Sequence, residues 1–258
     1  MKLLALFTLL FYALAIGDQT LRLMDRLKSS YPRFFGLAFL AILGHTALLY
    51  QWIETRSGQN LNVMNIASTI TWLMGILILT PGLTRPLANL SLLIFPISML
   101  SILGAGITEH RHIIQTQFHP GVLVHIIISI IATSLLGLSA LQAALIGCQN
   151  YFLKTHHPNP FSLFLPSIET MEHILFTLIW AGFIFLTCSL LTGLVYIEQF
   201  FSFNIVSKSG LAICAWALFL VLLVGHHVYG WRGRKAIKLT LGGTIALLIA
   251  YFGTQINY

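Results

Sequence analysis

The sequence has 258 residues, of which 57% are hydrophobic and only 8% are charged. A soluble domain carries about a quarter charged residues, so this composition excludes a water-exposed globular fold and predicts a chain solvated by lipid. The net charge is +7, but the basic residues form short clusters beside apolar runs, where they orient helices and do not indicate nucleic-acid binding.

Eight apolar stretches follow along the chain, each close to the length that crosses about 30 Å of hydrocarbon. They are 2–20, 34–53, 61–80, 87–106, 120–147, 170–197, 211–229 and 236–254. The segments between them carry the Gly, Pro, Asn and charged residues typical of loops. We therefore predict an all-α integral membrane protein, a bundle of about eight transmembrane helices that forms a single polytopic domain over residues 1–258.

The first stretch also has features of a secretory signal peptide, with Lys2 before the apolar run and Ala13-Leu14-Ala15 after it. Cleavage would leave four basic residues outside the cell, against the positive-inside rule, so we predict an uncleaved helix. If the N-terminus is outside, ten Lys and Arg lie on the inner side and four on the outer side. We expect both termini outside, in a multi-pass protein of the bacterial inner (plasma) membrane.

The usual catalytic motifs are missing from the sequence. It holds only seven carboxylates, and HExxH, GxSxG and Walker A patterns do not occur. Neither CxxC nor CxxCH occurs, so covalent haem of the c type is excluded, and we expect the three cysteines to be buried, inert thiols: Cys148, Cys188 and Cys214. We do not expect an enzyme, and the alternative is a subunit of a synthase.

Histidine is unusually frequent for so apolar a chain, with ten residues. Three lie in one predicted outer loop and two in an inner loop: His110, His112, His119, His156 and His157. The rest fall within predicted helices, where an ionisable group is costly and generally faces a site or a partner. Four of these form two pairs at matching depth on different helices. The outer pair is His45 and His125, about 12 and 8 Å from their helix ends, and the inner pair is His173 and His226, each about 5 Å deep.

Haem iron takes axial imidazoles, and helical bundles supply such ligands from facing helices. The two pairs therefore predict non-covalent haem b, with His45, His125, His173 and His226 as cofactor-binding residues. The alternative is that each histidine forms a hydrogen bond with a neighbouring helix. A polar stripe of Asn62, Asn65 and Thr69 has the same two interpretations, as helix packing or as the lining of a polar ligand site.

Several segments resemble the cytochrome c assembly membrane protein family (CcsA, CcmC and HemX-like). The run PGVLVHIIISIIATSLLGLSALQAAL, which contains His125, is similar to the helix that bears an external haem-ligand histidine in that family. The segment from Leu211 to Asn257 is similar to the C-terminal helix pair, with His226 at the position of the family's histidine and Tyr251-Phe252-Gly253 near its end. Among the four paired histidines, the resemblance implies His125 and His226 as the haem-iron ligands. SGQNLNVMNIAS, SIETMEHILF and GHHVYGWRGR fit the short YpjD/HemX-type branch best.

The resemblance implies a haem-binding protein of cytochrome c maturation or haem trafficking, with other cytochrome c assembly or haem-synthesis proteins as partners. The alternative within the family is a HemX-like regulator or scaffold of haem-biosynthesis enzymes that transfers no haem. The tryptophan-rich external motif of haem-handling members is replaced here by YIEQFFSFNIVSKSG, and their second external histidine beyond the last helix has no counterpart. These departures imply that haem is held within the bundle and is not displayed. A small-solute transporter is disfavoured, because broken helices and inverted repeats are not evident.

Overall fold

The computed structural model describes residues 2–24, 31–55, 58–80, 88–108, 113–114, 120–154, 165–196 and 203–252. Eight α-helices lie within these ranges: α1 Lys2–Leu23, α2 Tyr31–Ile53, α3 Val63–Leu79, α4 Ser91–Ile107, α5 Pro120–Lys154, α6 Ile168–Tyr196, α7 Phe203–Tyr229 and α8 Arg234–Phe252. Seven are long and apolar enough to span a membrane, and α3 is a shorter apolar helix of 17 residues, about 25 Å long. The predicted all-α, multi-pass membrane fold is confirmed.

Two helices extend well past their predicted limits. Helix α5 continues from the expected end at 147 to Lys154, and α7 begins at Phe203, eight residues before the expected start. The added residues are less apolar than the spans, but none of them is proline, so nothing interrupts the backbone ladder. Hydropathy therefore identified the membrane-crossing part of each helix but underestimated the length of the helix.

Contacts between Cα atoms divide the chain into two compact units, residues 1–115 with 158–165, and residues 116–157 with 166–258. In the first unit α1 packs on α2, α2 on α3, α3 on α4, and α4 returns to α1. In the second unit α5, α6, α7 and α8 repeat this closed order, with α8 returning to α5. Each unit is thus an up-and-down four-helix bundle. The single-domain description stays a prediction.

A small antiparallel sheet, which the sequence did not predict, lies in the first unit. Strands β1 (Glu54–Thr55), β2 (Gly58–Asn60) and β3 (Ile113–Ile114) pair in that order. Gly58 has a φ of 138°, which glycine adopts without strain. The strands connect α2 to α3 and follow α4, so they join the ends of three helices.

The helices expose apolar side chains and bury polar ones. On α1, Leu3, Leu6 and Leu10 are exposed, whereas Thr8 and Gln19 are fully buried. This distribution suits a lipid solvent, in which polar groups must find partners inside the protein. The interior polar groups therefore decide where a functional site can lie.

Candidate functional site

His125 lies one and a half turns into α5, against α6. Its Nδ1 is 2.9 Å from the main-chain oxygen of Ser189, and a carbonyl oxygen only accepts, so the proton is on Nδ1. The neutral ring then carries its lone pair on Nε2. The Ser129 hydroxyl lies 3.5 Å from Nε2, and it also bonds to the His125 carbonyl and to Ser189 Oγ at 2.7 Å each. Among the described residues, Nε2 of His125 therefore has only this long contact.

His226 has the same tautomer at the other end of the second unit. Its Nδ1 donates to the main-chain oxygen of Trp231 at 2.9 Å, which again places the lone pair on Nε2. One face of the ring stacks on Phe176 of α6, with centroids 3.5 Å apart and planes 16° apart. Stacking covers the ring face and leaves the in-plane Nε2 lone pair untouched. The imidazole is half-buried, whereas the adjacent His227 is exposed.

The backbone around His226 is fixed by several contacts. The amide of Trp231 donates to the Gly225 oxygen at 3.1 Å, and the amide of Gly233 donates to Oε1 of Glu172 at 3.0 Å. The Trp231 ring packs so close to Gly225 that a Cβ there would meet it at 2.2 Å. Gly225 is therefore needed for the approach that places the Trp231 carbonyl beside His226.

His173, the predicted inner partner of His226, is exposed on α6. Phe176, one turn further along, is the α6 residue that stacks on His226. The main-chain oxygen of His173 accepts from Thr177 within the helix at 2.9 Å. The structure thus brings His226 onto Phe176, and the pairing with His173 stays a prediction.

His45, the predicted outer partner of His125, is fully buried in the first unit. Its Nδ1 is 3.0 Å from the Tyr12 hydroxyl and its Nε2 is 2.8 Å from the Ser68 hydroxyl. Both ring nitrogens are therefore used, and the ring links α1, α2 and α3. Iron ligation by His45 would require one of these bonds to break. His125 belongs to the second unit, so the pairing of His45 with His125 also stays a prediction.

His125 and His226 cannot serve one metal centre. They contact α6 at Ser189 and Phe176, thirteen residues apart and hence about 20 Å along the helix. Two imidazoles on one haem iron lie on opposite faces of the same ring, far closer than this. Within the described residues, no group of three or more His, Cys, Asp or Glu is placed to hold a metal ion. The geometry therefore offers two separate single-histidine positions.

The polar stripe on α3 is explained by local structure. Asn62 is the N-cap of α3, its side chain accepting from the Asn65 amide at 2.8 Å. The Asn65 side chain donates to the Asn60 oxygen at 2.9 Å, and Thr69 donates to the Asn65 oxygen at 2.7 Å. The Asn65 side chain thus attaches α3 to the small sheet, and its Nδ2 also lies 3.4 Å from the main-chain oxygen of Trp52 in α2. The expected helix-to-helix bonding is therefore present at Asn65, whereas Thr69 bonds within α3.

The cysteine expectation was also wrong. All three thiols are free, and they are exposed and not buried: Cys148, Cys188 and Cys214. The loop histidines lie outside the described residues: His110, His112, His119, His156 and His157. Sequence reasoning selected the imidazoles but missed every group that orients them. Only the Gly-Trp-Arg-Gly run after His226 gave a local signal of a tight, close-packed turn.

Comparison with known proteins gives one family match and a set of relatives. Residues 35–257 match the family model described as Cytochrome C assembly protein. The chain is 32% identical over 222 residues to Inner membrane protein YpjD of Escherichia coli, covering 85% of this chain and 84% of that protein. It is 28% identical over 235 residues to an uncharacterized 28.8 kDa protein of Azospirillum brasilense, covering 88% and 85% of the two chains.

A more distant similarity covers part of the chain only. Cytochrome c biogenesis protein CcsA of Rippkaea orientalis is 28% identical over 108 residues, which is 40% of this chain and 31% of that protein. No solved structure matches the chain. The similarity to the YpjD-type proteins therefore extends over nearly the whole chain, and the similarity to CcsA does not.

Proposed function

Since this chain belongs to the cytochrome c assembly family, we propose that it is a haem-binding protein of the bacterial inner membrane that acts in cytochrome c maturation or haem trafficking. It binds haem b non-covalently and passes it on, without bond-making chemistry of its own. The inner-membrane location rests on the similarity to the Inner membrane protein YpjD of Escherichia coli and on the apolar helices. The maturation role rests on the family and on the partial match to CcsA.

The hydrogen bonds of His125 and His226 are the observation that supports haem binding best. Imidazoles that ligate metals generally donate their second N–H to a carbonyl or carboxylate, which fixes both the tautomer and the ring orientation. Both histidines donate from Nδ1 to a main-chain oxygen at 2.9 Å. The donor set therefore fits a ferric or ferrous haem, which when bound supplies an iron that accepts axial imidazole.

His125 and His226 have different surroundings, which suits a protein that binds one haem first at one histidine and then at the other. His125 lies beside the Ser129 and Ser189 hydroxyls, whereas His226 is stacked on Phe176 and held by a tight turn. At about 20 Å apart along α6, they would hold haem toward opposite sides of the membrane. Two such positions would let the protein hold haem at one and then at the other.

The visible spectrum of the purified full-length protein tests the proposal. We expect a Soret band and, after reduction, sharp α and β bands, with a pyridine haemochrome assay reporting haem b. The spectrum should weaken in His125→Ala and His226→Ala and should persist in the exposed His227→Ala control. A colourless preparation, also after expression with added haem, would reject haem binding and favour the HemX-like scaffold, whose readout is co-purification of a haem-synthesis enzyme.

A further inference from the structure

The loop between α7 and α8 lies at a membrane surface. The spanning segments Ser209–Tyr229 and Arg234–Phe252 end and begin on its two sides, so only four residues separate two crossings of the bilayer. Any side chain that this loop exposes is therefore placed at the level of lipid headgroups.

The loop has a fixed backbone. Gly230 and Gly233 have φ values of 64° and 58°, in the left-handed region that favours glycine. Trp231 is held through both its amide, to Gly225, and its carbonyl, to His226. Gly233 donates to Glu172 of α6. Arg232 thus sits between two anchored residues, and its backbone is ordered before any ligand arrives.

Four cations crowd this short region, and all of their side chains are exposed: Arg232, Arg234, Lys235 and Lys238. Among the described residues the ion pair found is Asp18 with Arg33, so none of the four is paired with a carboxylate. Two acidic residues lie on the first turns of α6. Glu172 is already accepting from the Gly233 amide, and Glu169 is exposed one turn earlier. The loop therefore keeps an excess of positive charge.

Aromatic side chains accompany these cations. The rings of Tyr229 and Trp231 stack at 6.1 Å between centroids, and Nζ of Lys235 lies 5.1 Å from the Trp231 ring centre. Trp and Tyr are enriched where hydrocarbon meets headgroups, because one part of the ring is apolar and another is polar. The patch thus combines an interfacial aromatic pair with guanidinium groups that pair with no carboxylate among the described residues.

We propose that Arg232 and Arg234 bind the phosphodiester of an anionic glycerophospholipid, with Tyr229 and Trp231 beside its glycerol region. Guanidinium is the suited cation, since its planar fork donates two parallel hydrogen bonds to phosphate oxygens. Lys235 and Lys238 add charge that attracts the anionic leaflet. The proposal does not require bound haem, and lipid at this loop would make the second bundle sensitive to the lipids around it.

Native mass spectrometry of the full-length protein, titrated with phosphatidylglycerol or phosphatidylcholine in detergent, tests the site. We expect the wild type to retain phosphatidylglycerol in preference to phosphatidylcholine. In the Arg232→Gln/Arg234→Gln variant, the affinity for phosphatidylglycerol should fall about 25-fold, because each arginine near a charged lipid surface contributes about a fivefold gain in affinity. The Arg232→Lys/Arg234→Lys variant keeps the positive charge, and with it the orientation in the membrane, but it loses the two parallel guanidinium hydrogen bonds. Its affinity for phosphatidylglycerol should therefore lie between those of the wild type and the glutamine variant.

Lys2→Gln is the matched control, because Lys2 is an exposed cation at the far end of the chain and its loss should not change lipid binding. Equal retention of both lipids by the wild type would overturn the proposal. So would an unchanged affinity in the glutamine double variant, or an equal loss in Lys2→Gln. Displacement of the lipid by millimolar inorganic phosphate would show a free-phosphate site and would overturn the assignment to a lipid.

Discussion

Nδ1 of His125 and the main-chain oxygen of Ser189 are 2.9 Å apart. This hydrogen bond joins the N-terminal end of α5, which we predict to be the outer end, to α6. This bond decides that the lone pair of His125 is on Nε2. The Ser129 hydroxyl approaches Nε2 only to 3.5 Å, because its shorter contacts go elsewhere. His125 therefore has one ring nitrogen in a short hydrogen bond and the other with only a long contact. This arrangement fits a metal ligand and also fits a residue that only packs the helices, and substitution distinguishes the two roles.

His125→Ala should shift the spectrum of bound haem from six-coordinate low-spin toward high-spin, because one strong-field imidazole is lost. Ser129→Ala is the matched control, since it removes the neighbouring hydroxyl and keeps the imidazole. His45→Ala should give the same shift as His125→Ala only if these two form a pair. Unchanged spectra in both histidine variants would leave them as packing residues.

His226→Ala should lose haem while His227→Ala retains it. Neighbouring side chains on an α-helix point about 100° apart, so one ligand position can use only one of the two. His226 is the one held by the Trp231 oxygen and by Phe176, and His227 is exposed. Haem content per protein, from a pyridine haemochrome assay, decides between them. Equal loss in the two variants, or loss only with His227, would contradict the assignment.

Tyr12→Phe should destabilise the haem-free protein by about 1–3 kcal/mol, because it leaves Nδ1 of the buried His45 without its partner. The measurement is reversible unfolding in mixed micelles or, as a relative scale, the midpoint of thermal unfolding. Tyr50→Phe is the control, since Tyr50 is 71% exposed and its hydroxyl should contribute within about 0.5 kcal/mol. Equal effects of the two changes would show that the Tyr12–His45 bond contributes nothing measurable.

Gly243→Ala and Gly242→Ala should have opposite effects, although the residues are adjacent in α8. A Cβ on Gly243 would meet the fully buried ring of Phe219 at 2.9 Å, and overpacking of this kind costs about 1–3 kcal/mol. A Cβ on Gly242 meets nothing within 4 Å, so the change should gain up to about 1 kcal/mol of helix propensity. Thermal unfolding of the two variants measures the difference. Matching midpoints would show that α7 and α8 do not approach so closely.

Both termini should lie outside the cytoplasm. The reason is the ten-to-four distribution of Lys and Arg between predicted inner and outer segments. A reporter fused after Tyr258 that works only outside the cytoplasm should be active, and one that works only in the cytoplasm should be silent. The reverse pattern would exchange the inner and outer positions of every histidine and would place the Arg232 loop on the external face.

Much of the candidate site followed from the sequence because imidazoles are rare and costly inside apolar helices. That rule selected His45, His125, His173, His226 and His227 without any knowledge of contacts, and the family resemblance chose His226 over His227. The rule could not show which histidine is available as a ligand, because it does not distinguish a ring with hydrogen bonds at both nitrogens from a ring with a short one at a single nitrogen. His45 matched His125 in depth, yet its two nitrogens are taken by Tyr12 and Ser68, which are 33 residues before and 23 residues after it.

The sequence by itself determined that the chain lies in a lipid bilayer, that it is helical and that it has about eight helices. Hydropathy and span length are properties of consecutive residues, so they can be read without the tertiary structure. Only the tertiary structure decided which nitrogen of each histidine carries the lone pair and how far apart the candidate ligands are. Those properties depend on hydrogen bonds to main-chain oxygens such as that of Ser189, 64 residues from His125. A carbonyl oxygen is present at every position, so the sequence carries no mark of which one an imidazole will meet. The antiparallel packing of α5 on α6 makes that choice, by bringing residues distant along the chain to the same level of the bundle.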